Sequence, residues 1–378
     1  MKIVYVYADN QREWNCSEWR CAVPARAINR TKGHQAVLLW IEDFMRTSPA
    51  AVDTCQDADL IVVQRNLFGP TLAAIQHWKA RDRVVIADFD DAYDLMPPSV
   101  GSYDFWRHGI ASENGTPLEN VQRVDPPPIT QFRWGLRLVH AATVPSKRLA
   151  DDWSTYTSIN YVPNYIDLEK YTSAAPVPHE GIHIGWGGSL SHFDSFNHQG
   201  VLTALKRICQ SRPQVKILIN GSNREIFDLL PVPQNQKILR PWVPYDQWAR
   251  ELATYDIGLA PLNGPYDDRR SWIKVLEYLV LKIPWVASEG PAYHELRPYG
   301  WLVQNSAQSW ERVLLDMIDH IDDYRAEASR EAYLYGISQS IDGNIDKSLS
   351  IYAEIIEKAR GVRVNPSIKV EAETKRGS

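Results

Sequence analysis

The chain has 378 residues, a formal charge of -5 and four cysteines. At roughly 150 residues per domain it is too long for one ordinary core and the right length for two, and so mild a charge draws the whole molecule to neither nucleic acid nor anionic lipid, leaving only a local basic patch open. Cys16, Cys21, Cys55 and Cys209 are scattered without a CxxC, which speaks against a disulfide framework or zinc site and for a reducing, cytoplasmic setting, and no apolar run approaches the roughly 18 residues of a membrane span.

From the start, "MKIVYVYADN" reads as a buried opening strand whose apolar run is too short for a signal peptide. The loop and helix "REWNCSEWRCAVPARAI" follow. The runs "AVLLW", "LIVV", "VVIAD", "AATV" and "INYVP" then alternate with longer helical stretches, a rhythm that predicts strand-helix units and a parallel sheet covered on both faces. Residues 94–134 break it. With "LMPPSVGSYDFWRHG" and "VDPPPITQFRWG" they are too rich in Pro and aromatics for a regular element and too apolar for a linker, which predicts a folded insertion or lid. After the polar "YTSAAPVPHEG" the rhythm restarts at Ile182 with "IHIGW", "VKILI", "KIL", "DIGLA", "PWVA" and "GWLV". The expected organisation is α/β: two doubly wound, Rossmann-like domains over residues 1–170 and 171–345, a helix over 346–361 returning to the first, and a mobile tail over 362–378. Ligands of such sheets bind beyond the carboxyl ends of the strands, so the cleft between the domains is the expected active site.

Within that frame, "GIHIGWGGSLSHFD" ends a strand at Trp186, passes through Gly187, Gly188 and Ser189, and enters a helix near Ser191. Glycines and a helix N-terminus suit a phosphate, but the stretch matches neither GxGxxG nor a P-loop, and a plain Gly-rich turn fits it too. In "DDRRSWIKVLEYLVLKIPWVAS" a helical period gives Trp272, Val275, Leu276, Leu279 and Val280 one apolar face. Arg270, Ser271 and Lys274 lie at the helix start, where a cation, a hydroxyl and free N-H groups can hold a diphosphate, and the two oxygens of Glu277 can accept ribose hydroxyls. A solvated helix edge with an i,i+3 ion pair is the competing account. In "DFDDAYD", Asp88 and Asp90 can be read as a DxD pair on Mg²⁺. The favoured reading needs no metal and has Asp90 or Asp91 touching the acceptor or the transferred sugar, against a helix cap and a loop salt bridge.

Taken together and in order, several stretches resemble the GT-B nucleotide-sugar glycosyltransferases, in particular glycosyltransferase family 4. "KGHQAVLL" resembles the family's second strand, "VPSKRLADDW" its Ser-containing turn, and "VPNYIDLEKY" its interdomain signature; "RPWVPYDQWARELATYDIGLAPL" and "IKVLEYLVLKIPWVAS" resemble its donor-domain segment. The resemblance covers residues 1 to about 305. It implies that Glu277 binds the donor ribose, that Lys274 and Arg270 neutralise the diphosphate, and that Gly187, Gly188 and Ser189 lie against the phosphates or sugar. Asn220, Gly221 and Ser222 would close the nucleotide pocket, with Val243 near the base. In that fold the first loop faces the cleft, so Trp14, Ser17, Trp19 and Arg20 are expected at the acceptor or the donor phosphate; of the fourteen tryptophans, Trp106 and Trp186 are the other two expected to face it.

The sequence also departs from the family. Arg269 stands where the first acidic residue of an E-x(7)-E pair belongs, Asp90 holds the approximate place of a His, so that proton handling falls to a carboxylate, and the Arg of the second domain's first loop is missing. The resulting expectation is a retaining glycosyltransferase without cofactor or obligatory metal, using a nucleoside diphosphate sugar and a hydroxyl acceptor: a saccharide, a lipid-linked saccharide or, less in keeping with the charge, a modified DNA base. A sugar-nucleotide binding protein without turnover remains a separate alternative, and epimerases and phosphorylases share the fold but need residue sets not found here.

Overall fold

The computed structural model describes residues 1–10, 15–113, 116–117, 123–221 and 224–361. Twelve apolar runs become two parallel six-stranded sheets. The first takes β1 (Lys2–Tyr7), β2 (Gln35–Trp40), β3 (Leu60–Gln64) and β4 (Val84–Asp88) and, beyond a two-residue hairpin of β5 (Ser112–Glu113) and β6 (Thr116–Pro117), β7 (Ala142–Val144) and β8 (Ile159–Tyr161). The second takes β9 (Ile182–Gly187), β10 (Val215–Asn220), β11 (Lys237–Leu239), β12 (Ile257–Ala260), β13 (Trp285–Ser288) and β14 (Trp301–Val303). Strand orders are β2-β1-β3-β4-β7-β8 and β11-β10-β9-β12-β13-β14. β3, β4 and β12 are buried along their whole length, as strands covered on both faces must be.

Each sheet reverses its winding once, between β1 and β3 in the first and between β9 and β12 in the second. At a reversal the flanking crossovers leave in opposite directions and open a crevice beyond the carboxyl ends of the strands. The ends of β1, β3 and β9 contribute to one cavity of about 640 Å³, lined by Asp9 and Arg65 from the first sheet and by Gly187 and Gly188 from the second.

The segment 94–134 is folded where described. Its helices Tyr103–His108 and Pro128–Leu138 bury Trp106 and Phe132 in the same cluster as Phe89 of the loop after β4 and Trp153. The last helix, Ile341–Ala359, packs back on the first sheet, where Tyr352 meets Tyr5 of β1 with its hydroxyl at 3.1 Å. Before it, Ile166 and Ser340 form an isolated parallel bridge, Ile166 N donating to Gln339 O at 3.0 Å and Ile341 N to Ile166 O at 2.8 Å. Among the described residues no helix is long and apolar enough to cross a membrane. Residues 362–378, expected as a mobile tail, lie outside the described residues.

Candidate active site

One wall of the cavity belongs to the second sheet. The pleat of β9 sends Ile184 and Trp186 into the core cluster of that sheet, where Trp186 is fully buried and does not face the cleft as expected. Gly187 points the other way. A Cβ there would lie 2.3 Å from Trp248 Cη2, and one at Gly188 would lie 2.8 Å from Trp186 Cζ2 and 3.1 Å from Lys274 Nζ, so backbone alone fits between the two indoles and the lysine. The chain then turns through residues 190–192 into two helices, Phe193–Phe196 and Gln199–Ser211, so the helix expected from Ser191 to Cys209 with an interruption near Gly200 is broken just before that glycine.

The helix Ile273–Val280 supplies the charges. Val275, Leu276, Leu279 and Val280 are buried in the core, while Ser271, Lys274 and Glu277 line the cavity. Lys274 Nζ donates to Gly187 O and lies 4.7 Å from the centre of the Trp186 ring. Burial pulls its ammonium down to about 8, with Glu277 acting in the opposite sense. Glu277 Oε1 accepts from Tyr171 OH and from Trp248 Nε1, both at 2.7 Å. Burial pushes its carboxyl up to about 7 against the pull of Tyr171, Lys274 and Trp248, all of which favour the ionised form. Ser271 Oγ accepts from Asn164 Nδ2 at 2.9 Å, which ties the helix start to the first half of the chain.

Arg270 spans the two sheets. Its Nε donates to Asp267 Oδ1 at 2.8 Å, Nη1 to Asp91 Oδ1 at 3.1 Å and Nη2 to Ser191 O at 2.7 Å, with its guanidinium carbon 4.7 Å from the Tyr266 ring centre. Arg269 leaves the cavity and pairs with Asp152 at 2.7 Å. Gly221, Trp242 and Val243 line the cavity beyond β10, and Ser189 Oγ shares a hydrogen bond of 2.8 Å with Ser191 Oγ. Asn220, expected in the pocket, is fully buried behind it, accepting from Tyr255 OH at 2.7 Å and donating to Glu251 Oε2 at 3.1 Å.

The facing wall belongs to the first sheet. Asp88, the last residue of β4, is buried with both oxygens on the Arg20 guanidinium, at 2.8 and 2.7 Å, and also accepts from Thr143 Oγ1. Arg20 in turn donates to Asn164 Oδ1 at 2.8 Å and Val162 O at 2.9 Å. The two members of the DxD reading therefore part company: Asp88 is spent on Arg20, and Asp90 lines the cavity. Asp90 Oδ1 accepts from Tyr93 OH at 2.8 Å, while its Oδ2 is buried without a partner among the described residues. Asp91 Oδ2 accepts from Tyr266 OH at 2.9 Å, and burial pushes its carboxyl up against the pull of Arg270. Arg65, at the end of β3, is paired with Asp9 at the end of β1. Trp19 lines the cavity edge-on to Tyr245, ring centres 5.3 Å apart.

Ser17 corrects an expectation. It does not face the cleft: it is fully buried, its N donating to Asp9 Oδ2 at 2.6 Å and its Oγ to Gln64 Oε1 at 2.6 Å, so it fixes the loop that carries Trp19. Trp14 and Ser222 lie outside the described residues. Sequence reasoning passed over Trp248, Tyr171, Tyr266, Arg65 and Asp9, whose partners stand 29, 106, 175 and 56 positions away.

No protein-family model matches the sequence, and no curated protein matches it. Solved structures do. HepE from Anabaena, crystallised with UDP and glucose, is 14% identical with a TM-score of 0.62 over 94% of this chain and 99% of its own. Sucrose-phosphate synthase from Thermosynechococcus elongatus is 10% identical with a TM-score of 0.60 over 94% and 99%, and a putative UDP-N-acetylglucosamine 2-epimerase from Listeria monocytogenes is 10% identical with a TM-score of 0.54 over 96% and 97%. The two facing sheets are thus the GT-B fold.

Proposed function

We propose that the protein is a glycosyltransferase that moves a sugar from a nucleoside diphosphate sugar to the hydroxyl of an acceptor, with retention of configuration. One observation carries this reading: Lys274, Glu277 and the glycines Gly187 and Gly188 meet at the winding reversal of the second sheet, on one wall of a cleft whose other wall presents Asp90 and Asp91. The fold neighbours crystallised with UDP and with UDP-glucose support uridine diphosphate as the first nucleotide to try.

In this reading Glu277 receives the ribose. Its Oε1 already holds two donors, and these orient the carboxylate so that Oε2 is left for the ligand. Lys274 and Arg270 meet the diphosphate. Negative charge grows on the leaving oxygen as the bond from the sugar's anomeric carbon to the diphosphate breaks, and a buried ammonium held 4.7 Å from an indole is in place before that charge develops. The acceptor oxygen forms its bond to the anomeric carbon on the same face, and its proton passes to the departing diphosphate. Asp90, with one oxygen held by Tyr93, orients the acceptor hydroxyl. The cleft keeps out water that would otherwise take the acceptor's place. No metal enters this scheme.

Thermal unfolding against a panel of nucleotides and nucleotide sugars tests it, because a ligand that binds only the native state raises the midpoint by mass action. UDP or another nucleoside diphosphate raises the midpoint of the wild type, and Glu277→Ala abolishes the rise. A wild type that no nucleotide stabilises, or a mutant that responds like the wild type, ends the proposal; binding without turnover of any sugar donor identifies a binding protein instead.

A further inference from the structure

The half of the cavity bounded by the first sheet has a chemistry of its own. Its wall is apolar and preassembled: Phe68 meets Phe105 and Trp106 edge-on, both with ring centres 5.4 Å away, and Trp106 packs on Tyr93 at 4.4 Å. Met96 and Val100, from the stretch between Tyr93 and Trp106, extend the same surface. The rings hold one another in place, so a ligand meets a formed surface at little cost in side-chain entropy.

Among the described residues of this half, each cation is already matched by a carboxylate, Arg65 by Asp9 and Arg20 by Asp88. Asp91 is shared with Arg270. What is left over is an acceptor of hydrogen bonds: Asp90 Oδ2, buried and without a partner among the described residues. A phosphate or carboxylate placed here would face Asp90 and Asp91 inside apolar walls with no unpaired cation among the described residues of this half to compensate it. A neutral hydroxyl would instead satisfy Asp90.

Building on the transferase reading, we infer that the acceptor is an uncharged molecule whose reacting hydroxyl is carried on, or directly beside, an apolar or aromatic body, and that Phe68 and the stretch from Tyr93 to Trp106 select it. Part of the segment that interrupts the strand-helix rhythm thereby supplies the specificity surface.

The test compares binding of four probes to the full-length protein by calorimetry, each with and without UDP: 4-nitrophenyl glucoside, octyl glucoside, glucose and glucose 6-phosphate. At least one of the two apolar glucosides is expected to bind about tenfold more tightly than glucose, and glucose 6-phosphate no more tightly than glucose. Phe105→Ala and Phe68→Ala, both at partly exposed rings, are expected to weaken the apolar glucosides about tenfold, on the scale of one aromatic contact, while UDP affinity stays unchanged. Tighter binding of glucose 6-phosphate than of glucose, no preference for either apolar glucoside, or variants that bind them like the wild type would overturn the inference. The probe comparison stands without UDP, so failure of UDP to bind strikes the transferase reading alone and leaves the acceptor question answered.

Discussion

The two walls of the cleft use charge in opposite ways. On the first-sheet wall, Arg20 and Asp88 are closed on each other below the surface, 2.7 Å apart and almost fully buried. On the second-sheet wall, Lys274 and Glu277 are equally buried but do not form an ion pair; each is held by neutral partners, a carbonyl in one case and a hydroxyl and an indole in the other. The same fold feature, the carboxyl edge of a parallel sheet, is thus finished as a closed structural pair in one sheet and as an open, solvent-deprived set in the other. Charges that burial opposes and no direct ion pair repays are where a charged ligand has the most to offer.

That contrast makes quantitative demands. The largest effect is on stability, at Arg20: Arg20→Ala leaves Asp88 charged, buried and uncompensated, and chemical denaturation is expected to show a loss of about 3–5 kcal/mol. Lys274→Met should do the reverse. Because burial lowers its ammonium to about 8 from an ordinary 10.5, the charged group weighs against folding at neutral pH, so the melting temperature is expected to hold or rise. UDP affinity, in contrast, should fall at least about 30-fold, the low end of the cost of truncating one partner of a buried charge pair. If Lys274→Met unfolds the protein as readily as Arg20→Ala does, the contrast between the walls is broken.

The pH dependence sharpens the same point. In the proposed donor mode Glu277 would accept ribose hydroxyls best when ionised, above about 7, and Lys274 would meet the diphosphate when protonated, below about 8. UDP affinity is therefore expected to rise through pH 7, peak, and fall beyond pH 8, and Glu277→Gln should remove the acidic limb and, by taking away the carboxylate that supports the ammonium, move the basic limb to lower pH. The raised carboxyl also means that the folded protein keeps this proton where the unfolded chain has lost it. Its contribution to stability is present below the ordinary 4.5 and is lost as pH climbs towards about 7. The smallest effect is expected at Arg269. Its pair with Asp152 is partly buried and lies outside the cavity, so Arg269→Ala should cost about 1 kcal/mol, the upper end for an ion pair still in reach of solvent, and leave UDP binding intact; a loss of binding would return this position to the donor site.

All twelve long-sheet strands were legible because strands covered on both faces appear as uninterrupted apolar runs. The apolar face from Trp272 to Val280 was legible for a similar reason, a period of 3.6 over nine residues. What escaped depends on distance along the chain or on a single step of pleat. "DFDDAYD" offers four carboxylates alike in sequence, and only the fold spends Asp88 on an arginine 68 positions earlier and leaves Asp90 at the cavity. Trp186 and Gly187 are neighbours, yet one step of the pleat puts the indole in the core and the glycine in the cleft. The Trp248 and Tyr171 clamp on Glu277 has no local signal at all, since an indole or phenol that orients a carboxylate looks in sequence like any aromatic that packs a core.

The bridge between Ile166 and Ser340 carries one more consequence. The chain passes between its halves twice, and at that bridge the outgoing and returning segments are zipped to each other by two backbone hydrogen bonds. Two crossings fastened side by side act as the spine of a book. A swing of the covers about that line keeps both hydrogen bonds, whereas twisting or sliding across it would break them, so an opening of the cleft, which must part Arg270 and Tyr266 from Asp91, would also close in register.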